Sequence, residues 1–144
     1  MNKCEFALER FKEGFRCSQA ILEAYAKDYD LDPMVARKIA TPMAGGSTVG
    51  GECGAVSGAF LVLGLKYGIT DPTDMDGFWK LFGKVEEFAG RFEAIHGNIN
   101  CRQLIGVDVF SEDGYKEFEE KNLHVTHCTK YVEDAVIILE EMIN

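Results

Sequence analysis

The sequence predicts an all-α fold, a single compact helical domain over residues 1–144 with one central buried helix wrapped by about five to seven others. Three observations predict it. Apolar residues recur at helical spacing through nearly the whole chain, and no alternating strand of useful length interrupts them. Aspartate-proline pairs and glycines punctuate the pattern at intervals suited to short helices and tight connections. The length of 144 residues supports one core and is too short for two.

Taken in order, Asn2 to Lys12 forms a first helix with Phe6, Leu8 and Phe11 apolar, broken by Gly14. A second begins near Arg16 and runs to about Tyr29, with Cys17, Ile21, Ala24 and Tyr25 on one stripe. Asp32-Pro33 starts a third through Met34 to Ala40, because proline is favoured at the first helical position. Pro42 and the glycines at 45, 46, 50 and 51 end it in a loop. From Cys53 to Tyr67 the helix reads as apolar on every face and hence buried all round, with Gly54 and Gly58 four apart on one side for close approach. Those glycines suit a subunit contact as readily as an internal one, so a homo-oligomer stays open.

Asp71-Pro72-Thr73-Asp74 opens a long helix carrying Phe78, Trp79, Phe82, Val85, Phe88, Phe92 and Ile95, read as core packing, that ends near His96-Gly97. Asn100 caps the segment from Cys101, Asp113 to Lys121 forms a short acidic helix, and the last helix runs from about His124 to Ile143. Its inward stripe is Val125, Cys128, Val132, Ala135, Leu139 and Met142.

Composition narrows the function. The net charge of -9 argues against nucleic acid or an anionic membrane surface as partner, since both select for clustered Lys and Arg. The longest uncharged run, Cys53 to Leu65, is short of the ~20 apolar residues a membrane helix needs. The N-terminus lacks a signal-peptide core, so a cytoplasmic, reducing setting is expected, where permanent disulfides are rare. The loop MAGGSTVGG before a helix lacks the GxxxxGK[ST] spacing of a phosphate cradle, and no Lys or Arg occurs between Lys38 and Lys66.

Five cysteines, at 4, 17, 53, 101 and 128, therefore need a reason other than stapling. Cys17, Cys53, Cys101 and Cys128 each fall in the first turn of an expected helix. There, unpaired N–H groups and the positive dipole end favour thiolate over thiol. Reversible thiol/disulfide chemistry is the first reading, with Cys53 attacking and Cys17, Cys101 or Cys128 resolving. An unidentified redox partner goes with it. It needs no cofactor, and with no CxxC present the pair must be made by the fold. Zinc or iron binding by Cys17, Cys53, Cys101 and Cys128 is the second, with His124 a further donor because it shares a face with Cys128. The intervals of 36, 48 and 27 residues between the cysteines are unlike the close pairs of structural zinc sites. Glu52 is read as solvated and His96 as a helix-terminal capping residue.

The contexts GFRCSQAILEAY, GGECGAVSGA, HGNINCRQLIG and THCTKYVEDAV together resemble the redox-active protein family labelled by the pattern C_GCAxxG_C_C. The resemblance covers about Gly14 to Ile143 and implies a small protein with four shared cysteines and a redox role. Where the label writes Gly-Cys-Ala, the chain reads Cys53-Gly54-Ala55. Cys4 matches no position of the pattern.

Overall fold

A computed structural model describes all 144 residues. Eight α-helices follow one another: α1 (Lys3–Lys12), α2 (Cys17–Ala26), α3 (Pro33–Ala40), α4 (Gly54–Tyr67), α5 (Met75–His96), α6 (Cys101–Ile105), α7 (Glu112–Glu120) and α8 (Thr129–Ile143). No strand forms; the only β pairing is an isolated antiparallel bridge between Glu52 and Asn100. No helix is long and apolar enough to cross a membrane.

Local chemistry sets the helix starts. Asn2 and Glu5 close a reciprocal capping box on α1, each side chain accepting from the other's N–H, at 2.8 and 3.0 Å. Asp32 accepts from Met34 N–H at 2.7 Å with Pro33 in the first turn of α3, and Asp74 accepts from Gly77 N–H at 2.9 Å on α5. Ser111 does the same for α7, accepting from Gly114 N–H at 3.0 Å.

The core is one cluster of 28 buried residues centred on α2 and α4. α4 packs against α2, α5 and α8, and the first two turns, Gly54 to Ala59, are buried on every side as expected. Beyond Phe60 the helix emerges, and only Val62 and Leu63 remain buried. α2 is as deeply set, every residue from Ala20 to Ala26 being buried.

The α2–α4 contact explains two glycines. A Cβ on Gly58 would come within 3.0 Å of Ser18 Cα and 3.1 Å of Ser18 O, and a Cβ on Gly54 would overlap Cys17 Sγ. Both serve an internal contact. Ser18 in turn donates its hydroxyl to Ala40 O at 2.7 Å, tying α2 to α3. The buried carboxylate of Glu23 accepts from Arg37 Nε and Nη2 at 2.8 Å each and from Arg10 Nε at 3.3 Å. It thereby locks α1, α2 and α3 together.

Three expectations are corrected. The α5 aromatics are not all core: Phe88 and Phe92 are fully buried, whereas Phe78, Trp79 and Phe82 are 40%, 57% and 51% exposed. They stack edge-on upon one another near the start of α5 instead. Val125 is exposed because His124–Cys128 is a wide helical turn, whose altered pitch rotates it off the stripe of α8. His96 is more than a cap: its Nε2 lies 2.9 Å from Asp134 Oδ2 on α8, and its ring packs against Phe92 and Tyr131.

Candidate functional site

The loop between α3 and α4 turns on a run of left-handed residues: Gly45, Gly46, Ser47, Thr48 and Gly50, with φ from 56° to 71°. The conformation is costly at Ser47 and Thr48, about 1–2 kcal/mol each. Gly51 N–H closes the turn on Gly46 O at 2.9 Å. The chain then runs briefly extended through Cys53, which caps α4.

That extended piece pairs with the segment leading into α6. Cys53 N–H donates to Ile99 O at 2.7 Å and Cys101 N–H donates to Gly51 O at 2.6 Å, flanking the Glu52–Asn100 bridge. Side chains alternate along such a ribbon, so Cys53 and Cys101 share one face as diagonal neighbours and Glu52 lies on the other. Diagonal pairs sit ~7–8 Å apart between Cα atoms, with Cβ atoms somewhat closer. Asn100 stands at the start of α6, but its side chain makes no cap bond; Asn98 Oδ1 instead accepts from the N–H groups of Ile99 and Asn100, at 2.8 Å each.

Cys17, the first residue of α2, lays its sulfur over the bare backbone of Gly54. Cys128 ends the wide turn before α8. It lies inside continuous helical backbone and not at a helix start, since residues from Leu123 onward already hold right-handed helical angles. The expected first-turn position therefore holds for Cys17 and Cys101 and, at the cap itself, for Cys53.

All four cysteines and His124 line one cavity of about 370 Å³. Its walls are mainly apolar, from Phe11 of α1, Leu104 and Ile105 of α6, the following loop, Phe118 of α7 and Tyr131 of α8. Tyr131 holds α6 against α8 by donating its hydroxyl to Leu104 O at 2.8 Å. The ring of Phe110 lies directly on Gly45, where a Cβ would collide with it. His124 stacks on Phe11, with centroids 4.1 Å apart. His127 faces away, sharing a 2.8 Å hydrogen bond with Thr126, and Cys4 lies apart from the cavity between α1 and α8.

Electrostatics run opposite to the thiolate expected from the helix ends. Burial pushes the Cys17 thiol up to about 11, with the neighbouring Cys101 adding to it. Cys53, only 6% exposed, is pushed well above the ordinary thiol value by burial and then by Cys17, against the lowering effect of the Ala55 backbone N–H. Burial likewise raises Cys101 and, further, Cys128. Desolvation is the larger effect: it moves a buried group by up to ~3–5 pH units, while a helix end contributes ~0.3–1 kcal/mol, under one unit. His124 moves down, through burial and then the charge of Arg16. At neutral pH the cavity thus holds four neutral thiols, and all five cysteines are free.

No group of three or more His, Cys, Asp and Glu side chains is arranged to hold a metal ion. The residues that sequence reasoning missed are Arg16, Tyr115 and Tyr131, which border the cavity. Only their flanking of Cys17 and Cys128 and of the α7 start could have marked them. No curated protein and no solved structure matches the chain. A family model does, across residues 15–142, and on that match the chain belongs to the family described as "Putative redox-active protein (C_GCAxxG_C_C)".

Proposed function

We propose that the protein performs reversible two-electron thiol chemistry, two of its cavity cysteines passing between dithiol and disulfide. One observation supports this best: sulfurs brought from four separate points of the chain line a single cavity. The oxidant is a small-molecule or protein disulfide. A cysteine thiolate attacks one of its sulfurs, forming a mixed disulfide and releasing one thiolate. A second cysteine thiolate then attacks the protein-side sulfur, forming the internal S–S bond and releasing the other thiolate. Two cysteine thiols have then lost two protons and two electrons, and the oxidant has become two thiols. Cys53 and Cys17 are the reacting pair, since the Cys17 sulfur rests on Gly54, the neighbour of Cys53 in sequence.

Metal or iron-sulfur binding by the same cysteines is the competing use. A zinc or iron ion would convert the desolvated thiols to bound thiolates, which gives the donor set a chemical logic. The absence of any close group of three donors weighs against it.

Thiol counting under denaturing conditions tests the proposal. Reduced protein holds five thiols; exposure to excess oxidised glutathione should leave three, and dithiothreitol should restore five. Cys53→Ser and Cys17→Ser should each prevent formation of the internal disulfide. Five thiols surviving every oxidant would overturn the redox reading. About one zinc or iron per chain in anaerobically purified protein, with the thiols shielded by it, would replace it with the metal reading.

A further inference from the structure

We infer that the cysteine-lined cavity is a binding site for a small, largely apolar organic molecule carrying one negative charge, with Arg16 as its counter-ion. Size, wall chemistry and charge lead there independently of any thiol reaction. The volume, about 370 Å³, is that of a small-molecule site, for which ~300–1,000 Å³ is usual. Thirteen of the nineteen lining residues are hydrophobic, so most of the occupant must be apolar.

The charge is the more telling feature. In a chain of net charge -9, not one Asp or Glu lines this cavity, and Arg16 is its one fixed cation. The other ionisable walls are the four thiols, His124, Tyr115 and Tyr131. The thiols are held neutral by burial, and His124 is kept toward its neutral form. The charge of the guanidinium reaches Cys17 and His124, and also Tyr115, where the carboxylate of Glu119 acts more strongly. Just outside, Asp108 is paired with Arg102 at 3.2 Å. An anionic head beside Arg16 therefore meets one uncompensated positive charge, while its apolar body displaces water from aromatic and aliphatic walls. A neutral molecule of the same shape would forgo the first gain, and a cation would be repelled.

The probe is 8-anilinonaphthalene-1-sulfonate, compared with N-phenyl-1-naphthylamine, which has the same rings and no sulfonate. Fluorescence titration of the reduced, folded protein should show one sulfonate probe per chain. Arg16→Gln, a change at an exposed residue, should weaken the sulfonate probe about fivefold, as a partly exposed ion pair is worth up to ~1 kcal/mol, and leave the uncharged probe unchanged. Filling the cavity by Val109→Trp, or by Ala44→Leu should the first fail to melt cooperatively, should weaken both probes at least tenfold. Binding that persists in both cavity-filling variants overturns the assignment, as does an Arg16→Gln variant that affects both probes equally or neither. Probe binding is measured on fully reduced protein and thiol cycling by thiol counting without probe, so loss of thiol cycling and loss of the ligand site are read separately.

Discussion

Replacing Gly54 by alanine tests how the cysteine site is assembled, because the same helix supplies its own control. The new methyl at position 54 would overlap Cys17 Sγ and stand 3.2 Å from Met43 O, between α2 and the loop that leads to Cys53. Forcing one methyl into such a contact costs about 1–3 kcal/mol, partly offset by the ~1 kcal/mol that alanine contributes over glycine in a helix. At Gly64, nearly three turns further along α4, a Cβ meets nothing within 4 Å, so only the helical gain remains. Gly58→Ala should be the worst of the three, since its obstacle is the backbone of Ser18, which cannot rotate away. For a chain of 144 residues, 1 kcal/mol moves the melting temperature by about 3–4 °C. Thermal melts should therefore show Gly64→Ala raised by about 2–4 °C, Gly54→Ala level or lowered by up to about 7 °C, and Gly58→Ala lowest. Native-state alkylation should report faster reaction of Cys17 in Gly54→Ala alone. Should Gly54→Ala stabilise as much as Gly64→Ala, with Cys17 reactivity unchanged, the sulfur does not rest on that glycine and the account of the site fails.

Three further outcomes are expected. Stability should fall as pH rises above about 9: each thiol raised in the folded state keeps a proton that the unfolded chain has lost. The loss is about 1.4 kcal/mol per pH unit per thiol and continues for Cys17 until about 11. Urea titrations from pH 7 to 10 check this, and the steep part should flatten when cavity cysteines are replaced by serine. Glu23→Ala strands Arg10 and Arg37 against a buried site and should cost about 2–4 kcal/mol, little altered by 0.5 M salt, as followed by urea midpoints. The single tryptophan, Trp79, is more than half exposed, so its emission should be red-shifted and readily quenched by acrylamide in the native protein.

Helix order and most helix ends were legible because each rests on local chemistry, such as Asp32-Pro33, Asp74 or the glycine at 97. Which part of a helix is covered is not local. The positions of Phe78, Phe82, Phe88 and Phe92 define one face of α5 correctly, yet cover only its second half. At 1.5 Å per residue the 22 residues of α5 reach ~33 Å, against ~21 Å for the 14 of α4 beside it, so its first turns overhang. The four cysteines were singled out from their sequence contexts, but the wide turn that holds Cys128 was not foreseen. The left-handed Asn122 ends α7, and the helix resumes at Leu123, a turn ahead of the cysteine. Arg16 stayed invisible because a lone arginine before a helix is ordinary until the topology leaves it the one fixed charge at the edge of an apolar cavity.

The sign of the thiol shifts is the most consequential of these differences. A helix start can lower a thiol by less than one pH unit, whereas Cys17 stands about two units above its ordinary value of 9. At pH 7 such a group is ionised about one part in ten thousand, a hundredfold less than an exposed thiol. Chemistry at this site is thus governed by what changes desolvation and local charge, not by the helix ends alone. An anion settling beside Arg16 would displace water and push the thiolates further out of reach. An electrophile that brings no charge, or one whose own leaving group carries the negative charge past Arg16, would meet the lower barrier. Oxidation rates measured with disulfides of equal size but different charge should therefore fall when the negative charge stays on the half that remains bound, and Arg16→Gln should narrow that difference. Rates that ignore both the charge of the oxidant and residue 16 would mean that the reacting cysteine works from another, wetter conformation.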